Sequence, residues 1–121
     1  MSKFADRDPK YPDLPTALCE WDPGFARPPE AAAVAQDFDL PTVVADAFGD
    51  YVLRLNSTGN DDQALERALG ALERMASSEE PDLQNCALTG LIERLPSEAP
   101  GLIGALGPAS ADLYGRWDKR L

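Results

Sequence analysis

The stretch that decides the fold is residues 41–95, PTVVADAFGDYVLRLNSTGNDDQALERALGALERMASSEEPDLQNCALTGLIERL. Its apolar side chains recur every three or four residues, which is the spacing that gives a helix one apolar face. Two short polar interruptions, NSTGN and SSEE, divide it into three segments. The stretch therefore predicts three consecutive helices with short connections, a pattern typical of antiparallel neighbours in an all-α bundle.

Local signals indicate where these three helices begin and end. Pro41 and Pro81 suit the first turn of a helix, where a proline costs no hydrogen bond. Asn60 is expected to cap the second helix, with Gln63 as its capping-box partner, and Pro96 is expected to stop the third. The predicted helices are 41–55, 61–76 and 81–95.

The second and third helices each carry an apolar stripe that is expected to face the core. On the second helix the stripe consists of Leu65, Ala68, Leu69, Leu72, Met75 and Ala76. On the third helix it consists of Leu83, Ala87, Leu88, Leu91 and Leu95.

The flanking segments are expected to complete one domain, 1–121. Residues 1–40 hold six of the eleven prolines, interleaved with aromatic and aliphatic side chains. Prolines reduce the entropy that a segment loses on docking, so we expect an ordered wrapping arm with short helices at Pro15–Glu20 and Pro29–Gln36. Residues 96–121 are expected to form C-terminal helices, the last from Pro108 to about Lys119. The predicted fold is a compact antiparallel bundle of about five to seven helices around 41–95.

Composition excludes several kinds of chemistry within this chain. The 121 residues include 11 Lys+Arg, 21 Asp+Glu and no His, for a formal net charge of −10. Without His there is no Ser-His or Cys-His nucleophile pair and no His-ligated zinc site. Cys19 and Cys86 form no CxxC motif, and we interpret both as reduced, buried thiols. We expect no enzymatic activity, no cofactor and no metal.

Charge and the N-terminal sequence suggest a location and a class of partner. The start, MSKFADRDPKYPD, has no apolar signal core, and no apolar run approaches the roughly 18 residues that cross a membrane. We therefore expect a cytoplasmic protein. Its negative charge repels nucleic acid and anionic membranes, so a charged partner is expected to be a basic protein. The alternative is that the acidity only keeps a small domain in solution.

The acidic residues of 56–100 are the first candidates for a binding site. This segment holds nine acidic and three basic side chains, and the acids concentrate at the two loops that flank helix 61–76, about 24 Å apart. They either complement helix dipoles or form an acidic face that steers a basic partner. A divalent-cation site is disfavoured because the spacing of a calcium loop is absent. The candidate contacts are Asp61, Asp62, Glu66, Glu79, Glu80 and Asp82.

Aromatic and amide side chains are the second group of candidates. Tyr11 and Trp21 are expected either to anchor a partner or to dock the arm, since these residue types serve both roles. Trp117 is expected in the core. One or both of Gln84 and Asn85 are expected to hydrogen-bond the backbone of a neighbouring helix or loop, with a partner contact as the alternative.

Asp46 and Asp50 lie one turn apart on helix 41–55. Two carboxylates at this spacing can share a proton or bind a cation. Because no third ligand accompanies them, a solvated helix face is expected, on which Asp50 and Arg54 form an i,i+4 ion pair.

Residues 65–95 resemble a helical hairpin of the HEAT-repeat type, with a Leu-rich first helix, a tight acidic turn, Pro-Asp at the start of the second helix and Ala87 in its middle. A solenoid needs at least three such units, so the resemblance implies the hairpin only.

A wider resemblance covers 39–95, about half of the chain. The run D-L-P…F-G-D-Y-V-L-R-L, followed by L-E-R-M-A-S-S…P-D-L-Q-N…G-L-I-E-R-L, is similar to small acidic bacterial proteins of the polymorphic-toxin immunity type.

That resemblance implies a function but no binding residues. Immunity-type proteins bind a cognate toxin stoichiometrically and block it, so the implied partner is a toxin domain; the acidity of the chain adds the expectation that this domain is basic. The surface that faces the toxin varies within such groups, and residues 1–38 lie outside the match. Two alternatives stay open: a helical adaptor or scaffold for another bacterial protein, and an enzyme that uses carboxylates and a metal.

Overall fold

The computed structural model describes residues 8–26, 30 and 40–119. Within these ranges the chain contains no strand, and the expected all-α class is confirmed. The α-helices there are α1 (Leu14–Trp21), α2 (Pro41–Thr58), α3 (Asp62–Ala76), α4 (Pro81–Gly90), α5 (Leu95–Glu98) and α6 (Pro108–Asp118). Short 3-10 helices lie at Tyr11–Asp13, Pro23–Ala26, Ile92–Arg94 and Pro100–Ala105.

The described part of the N-terminal arm is docked on the core. Leu14 and Leu18 of α1 are fully buried, and Phe25 packs edge-on against Phe48 of α2 with ring centroids 5.2 Å apart. The helix expected at 15–20 is confirmed, with one more residue at each end. The helix expected at 29–36 lies outside the described residues, apart from position 30.

The junction between α2 and α3 differs from the prediction by a few residues. Helix α2 continues to Thr58 and ends at Gly59, whose φ of 63° lies in the left-handed region that glycine favours. Asn60 therefore belongs to the connection, and the expected cap at Asn60 with Gln63 is wrong. Asp61 caps α3 instead, because its carboxylate accepts a hydrogen bond of 2.9 Å from the Ala64 amide.

The third predicted helix, 81–95, is broken in the structure. Helix α4 ends at Gly90, and Leu91 leaves helical geometry with a φ of −143°. The Gly90 carbonyl accepts a hydrogen bond from the Arg94 guanidinium at 3.2 Å, which satisfies a carbonyl at the helix end. The chain continues as a 3-10 turn into α5, where Pro96 lies in the first turn. Pro96 therefore lies in the first turn of a helix, and the expectation that it stops one is wrong.

A pair of glycines brings α2 and α4 into backbone contact. A Cβ added to Gly49 of α2 would lie 1.9 Å from the Gly90 carbonyl oxygen, and one added to Gly90 would lie 2.7 Å from the Ala45 carbonyl oxygen. No side chain fits between the two helices at this point. The crossing requires glycine at both positions, since only glycine allows backbones to approach this closely.

Glu73 joins α6 to α3. Its carboxylate accepts hydrogen bonds from the Ala109 amide at 2.8 Å and from the Ser110 amide and hydroxyl at 2.9 Å each. These are first-turn groups of α6, which lack partners within their own helix. Gly107, which precedes α6, has no side chain to cap it, and a Cβ there would lie 2.6 Å from a Glu73 oxygen. Glu73 thus caps α6 from a different helix.

The core face of α3 is rotated relative to the predicted stripe. Its buried residues are Ala64, Ala68, Ala71, Leu72, Met75 and Ala76. Leu65 and Leu69, which were expected in the core, are only partly buried. On α4, Leu88 is likewise partly buried, while Cys86 is buried in its place. The two α3 leucines therefore lie at the edge of the core, on the surface that is described next.

Candidate functional site

The candidate acidic residues form two separate groups at the two ends of α3. Asp61, Asp62 and Glu66 lie exposed at its start and form what we call the α3 acidic surface. The other three, Glu79, Glu80 and Asp82, lie beyond its end, around the start of α4. A helix of 15 residues separates the groups by about 22 Å. The structure therefore does not unite the six candidates in one site.

The second acidic group contacts the N-terminal arm of the same chain. Lys10 forms an ion pair with Glu80 at 3.3 Å, and the Glu79 amide donates a hydrogen bond of 3.0 Å to the Asp8 carboxylate. Glu80 is partly buried, whereas Glu79 and Asp82 are exposed. Part of this group thus serves to hold the arm in place.

An apolar groove lies beside the α3 acidic surface. Leu65, Leu69 and Gly70 form its α3 side, and Ala105 and Gly107, from the segment before α6, form the opposite side. The volume is about 430 Å³. We call this feature the α3 groove. It combines partly buried leucines with an acidic border, and the sequence did not show it because both leucines were assigned to the core.

The charged residues that line the α3 groove are all acidic: Asp62, Glu66 and Glu73. Glu73 uses its carboxylate to cap α6. Among the described residues, neither Asp62 nor Glu66 forms an ion pair. Their negative charge is therefore presented to solvent next to the two leucines.

The aromatic candidates of the arm pack against their own chain. Tyr11 and Trp21 are both partly buried against the core. The guanidinium of Arg74 lies over the Trp21 ring, 4.9 Å from its centroid, which is a cation–π contact. The Trp21 indole nitrogen is buried and has no hydrogen-bond partner among the described residues. Of the two expected roles, the geometry shows arm docking.

Trp117 is not a core residue, contrary to expectation. It is partly buried and lines a second, smaller cavity of about 170 Å³ between α4 and α6, together with Leu88 and Asn85. Gln84 borders the same cavity and donates a hydrogen bond of 2.7 Å to the Ser78 carbonyl. The backbone contact expected of Gln84 or Asn85 is thus made by Gln84, while Asn85 is exposed.

The expected ion pair between Asp50 and Arg54 does not form. Asp50 pairs instead, at 2.7 Å, with Arg94, which lies in the 3-10 turn Ile92–Arg94 that follows α4. Arg54 pairs with Glu30 through two hydrogen bonds of 2.6 and 3.2 Å, and this pairing lowers the pKa of the Glu30 carboxyl. Asp46 is exposed, as expected of a solvated face.

A buried carboxylate at the end of α1 is a feature that the sequence did not reveal. Asp22 is fully buried, with one oxygen 3.2 Å from the Gly24 amide and 3.9 Å from Arg67 Nε. The other oxygen has no hydrogen-bond partner in the described ranges. Burial raises the pKa of Asp22, while the Gly24 amide and Arg67 lower it to a smaller extent. Its only sequence context is the end of a short helix, which does not predict burial.

The described part of the chain contains no group of three or more His, Cys, Asp or Glu residues that could hold a metal ion, and none of its helices has the length and apolar character needed to span a bilayer. Cys19 and Cys86 are free thiols; Cys86 is buried as expected, whereas Cys19 is only partly buried, so the expectation that both are buried is wrong for Cys19. Burial, together with the charges of Asp82 and Asp46, raises the pKa of Cys86 to about 11, so this cysteine is protonated at neutral pH.

Comparison with known proteins gives no match to a family model, to a curated protein or to a solved structure.

Proposed function

We propose that the protein is an immunity-type inhibitor, which binds a basic bacterial toxin domain and occludes its functional surface. The observation that carries this proposal is the α3 acidic surface beside the α3 groove. Asp62 and Glu66 are exposed there next to two partly buried leucines. Protein interfaces combine apolar anchors with surrounding charge in this way. The sequence resemblance over 39–95 supports a toxin as the class of partner.

In the proposed mechanism, charge determines how fast the partner associates and apolar contacts determine how slowly it dissociates. A formal charge of −10 attracts a basic partner over distances of about a Debye length, roughly 8 Å at physiological salt, and thereby speeds association. Apolar side chains that enter the groove then slow dissociation, which sets the lifetime of the complex. A toxin held in this way cannot reach its target with the covered surface.

A helical adaptor is the second candidate, and the Trp117 cavity favours it. An adaptor needs two surfaces, and this cavity lies between α4 and α6, with an aromatic side chain of the kind that anchors partners. In this alternative the partner is not inhibited, so the two functions differ in what binding does to the partner.

The proposal is tested by growth rescue. The tagged protein is purified from its own cell at about 50 mM NaCl, at which charge attraction is weakly screened, and a basic protein that co-elutes at one-to-one stoichiometry is identified by mass spectrometry. That protein is then expressed in a sensitive host, alone and together with the present chain. We expect growth inhibition that co-expression relieves. A captured protein that does not inhibit growth, or inhibition that co-expression leaves unchanged, would refute the inhibitor proposal.

Matched charge variants make the rescue test specific to the α3 acidic surface. Asp62→Asn with Glu66→Gln removes two exposed charges there, and Glu79→Gln with Asp82→Asn removes two exposed charges beyond the other end of α3. Both variants have the same net charge. We expect rescue at limiting expression to weaken in the first variant only.

A further inference from the structure

The α3 groove has the shape of a site for apolar side chains. Leu65 and Leu69 lie one helical turn apart on one side, and Ala105 and Gly107 lie on the other. Its volume of about 430 Å³ falls within the range of binding pockets in proteins. A groove along a helix, with apolar residues one turn apart, suits a second helix whose own apolar residues have the same spacing.

The charges around the groove determine which kind of helix fits. The basic residues of α3 turn away from it: Arg67 lies near Asp22, and Arg74 covers Trp21. Asp62 and Glu66 border the groove, so an incoming segment meets negative charge. A cationic segment is complementary to this border. A second copy of the chain is disfavoured, because each copy carries a formal charge of −10.

Gly70 provides an independent observation at the same place. It lies in the interior of α3, where glycine is among the least favourable residues. Its φ is not in the left-handed region, and an added Cβ would have no neighbouring atom within 4 Å. The fold therefore does not require glycine here. Glycine does allow the backbone of another molecule to approach closely at the wall of the groove.

We propose that the α3 groove binds a cationic amphipathic helix of the protein partner. Apolar side chains of that helix pack on Leu65 and Leu69, Lys or Arg side chains lie opposite Asp62 and Glu66, and its backbone passes close to Gly70. The identity of the partner as a toxin rests on the proposed function, whereas the groove and its preference for a cationic helix are tested separately.

The first test uses a defined peptide. The amidated peptide KLAKLAKKLAKLAK is titrated into the isotope-labelled protein and followed by backbone amide NMR, with a peptide in which every Lys is replaced by Glu as the charge control. We expect the cationic peptide to shift amides of the groove residues and the acidic peptide to shift none. Shifts that are confined to residues outside the groove, or equal shifts with the acidic peptide, would overturn the proposal.

Two glycine variants provide the matched control. Gly115 lies inside α6, an added Cβ there also has no neighbour within 4 Å, and Gly115 does not line the groove. We expect Gly70→Ala to weaken peptide binding about tenfold, because a methyl group at a close contact typically costs this much, and Gly115→Ala to leave it unchanged. Equal affinities of the two variants would contradict the inference. So would a dimer in sedimentation equilibrium that Leu69→Lys dissociates.

The same variants separate this inference from the proposed function. If the wild-type chain rescues growth and Gly70→Ala rescues equally at limiting expression, the groove assignment is wrong and the inhibitor function stands. If the wild-type chain fails to rescue while the cationic peptide binds the groove in a Gly70-dependent way, the groove assignment stands and the toxin proposal is wrong.

Discussion

The contact between Glu73 and α6 gives the sharpest prediction about stability. The Glu73 carboxylate accepts three hydrogen bonds, at 2.8, 2.9 and 2.9 Å, from the first turn of α6. Hydrogen bonds to a charged group contribute about 1.5–3 kcal/mol each when they are measured singly, and loss of a helix cap costs about 0.5–2 kcal/mol. Water molecules replace some of the hydrogen bonds that Glu73→Ala removes, so we expect the free energy of unfolding to fall by about 3 kcal/mol. For a chain of this length that corresponds to a fall in Tm of about 12 °C.

The assay is urea and thermal unfolding followed by circular dichroism. Glu73→Gln keeps one acceptor oxygen, so its loss of stability should be about half that of Glu73→Ala. Glu66→Ala is the matched control, because Glu66 is an exposed acid on the same helix and a substitution there should change stability by less than about 0.5 kcal/mol. A loss in Glu73→Ala that is no greater than in Glu66→Ala would refute the capping role.

Three further predictions concern single residues. Gly49→Ala places a methyl group against the Gly90 carbonyl, so we expect the free energy of unfolding measured in urea to fall by about 3 kcal/mol. A fall of less than about 1 kcal/mol would contradict the close approach of the two backbones. Gly70→Ala and Gly115→Ala should each stabilise the free protein by about 0.5–1 kcal/mol, because alanine favours a helix and nothing obstructs its Cβ; a loss of stability in either would show that the space is occupied. Burial raises the pKa of Asp22 from its ordinary value of 3.8, so the stability that this group supplies is complete below pH 3.8 and is lost as the pH rises through the raised value. Asp22→Asn should therefore have a higher free energy of unfolding than the wild type at pH 7, and the difference should vanish near pH 3. A difference that does not change with pH would show that the buried charge of Asp22 is not its cause.

Periodicity and proline positions were sufficient to predict the main helices. The starts of α2 and α4 at Pro41 and Pro81 follow from the tolerance of proline in the first helical turn. Helix α3 ends at Ala76 as its apolar pattern indicated. These features depend on residues that are close in sequence, so local signals determine them.

Features that depend on contacts between distant segments were not predictable. The end of α4 at Gly90 follows from its crossing with Gly49 and from the Arg94 side chain, and no local pattern shows either contact. The cap of α6 comes from Glu73, 36 residues before the amide it binds. Leucine periodicity placed Leu65 and Leu69 in the core, whereas alanines fill the closest contacts of α3 and leave these leucines at its edge.

The candidate site was predicted only in part, for the same reason. Charge clustering in the sequence indicates the exposed acids Asp62 and Glu66, but it also selects Glu80, which pairs with Lys10 of the arm. The α3 groove needs the segment before α6 as its second side, and that contact spans more than 30 residues of sequence. A sequence pattern can therefore suggest the charge of a binding surface without showing its shape.

The association rate between the protein and the basic partner captured with it most directly tests whether the α3 acidic surface captures that partner. Stopped-flow fluorescence at about 50 and 500 mM NaCl would compare the wild type with the two charge-matched double variants, since steering by charge weakens as salt screens it. We expect the association rate constant of the wild type to fall about tenfold between the two salt concentrations. At low salt we expect Asp62→Asn with Glu66→Gln to associate more slowly than the wild type, and Glu79→Gln with Asp82→Asn to associate at the wild-type rate. A rate that is independent of salt, or equal slowing by both variants, would contradict the claim that the α3 acidic surface captures the partner.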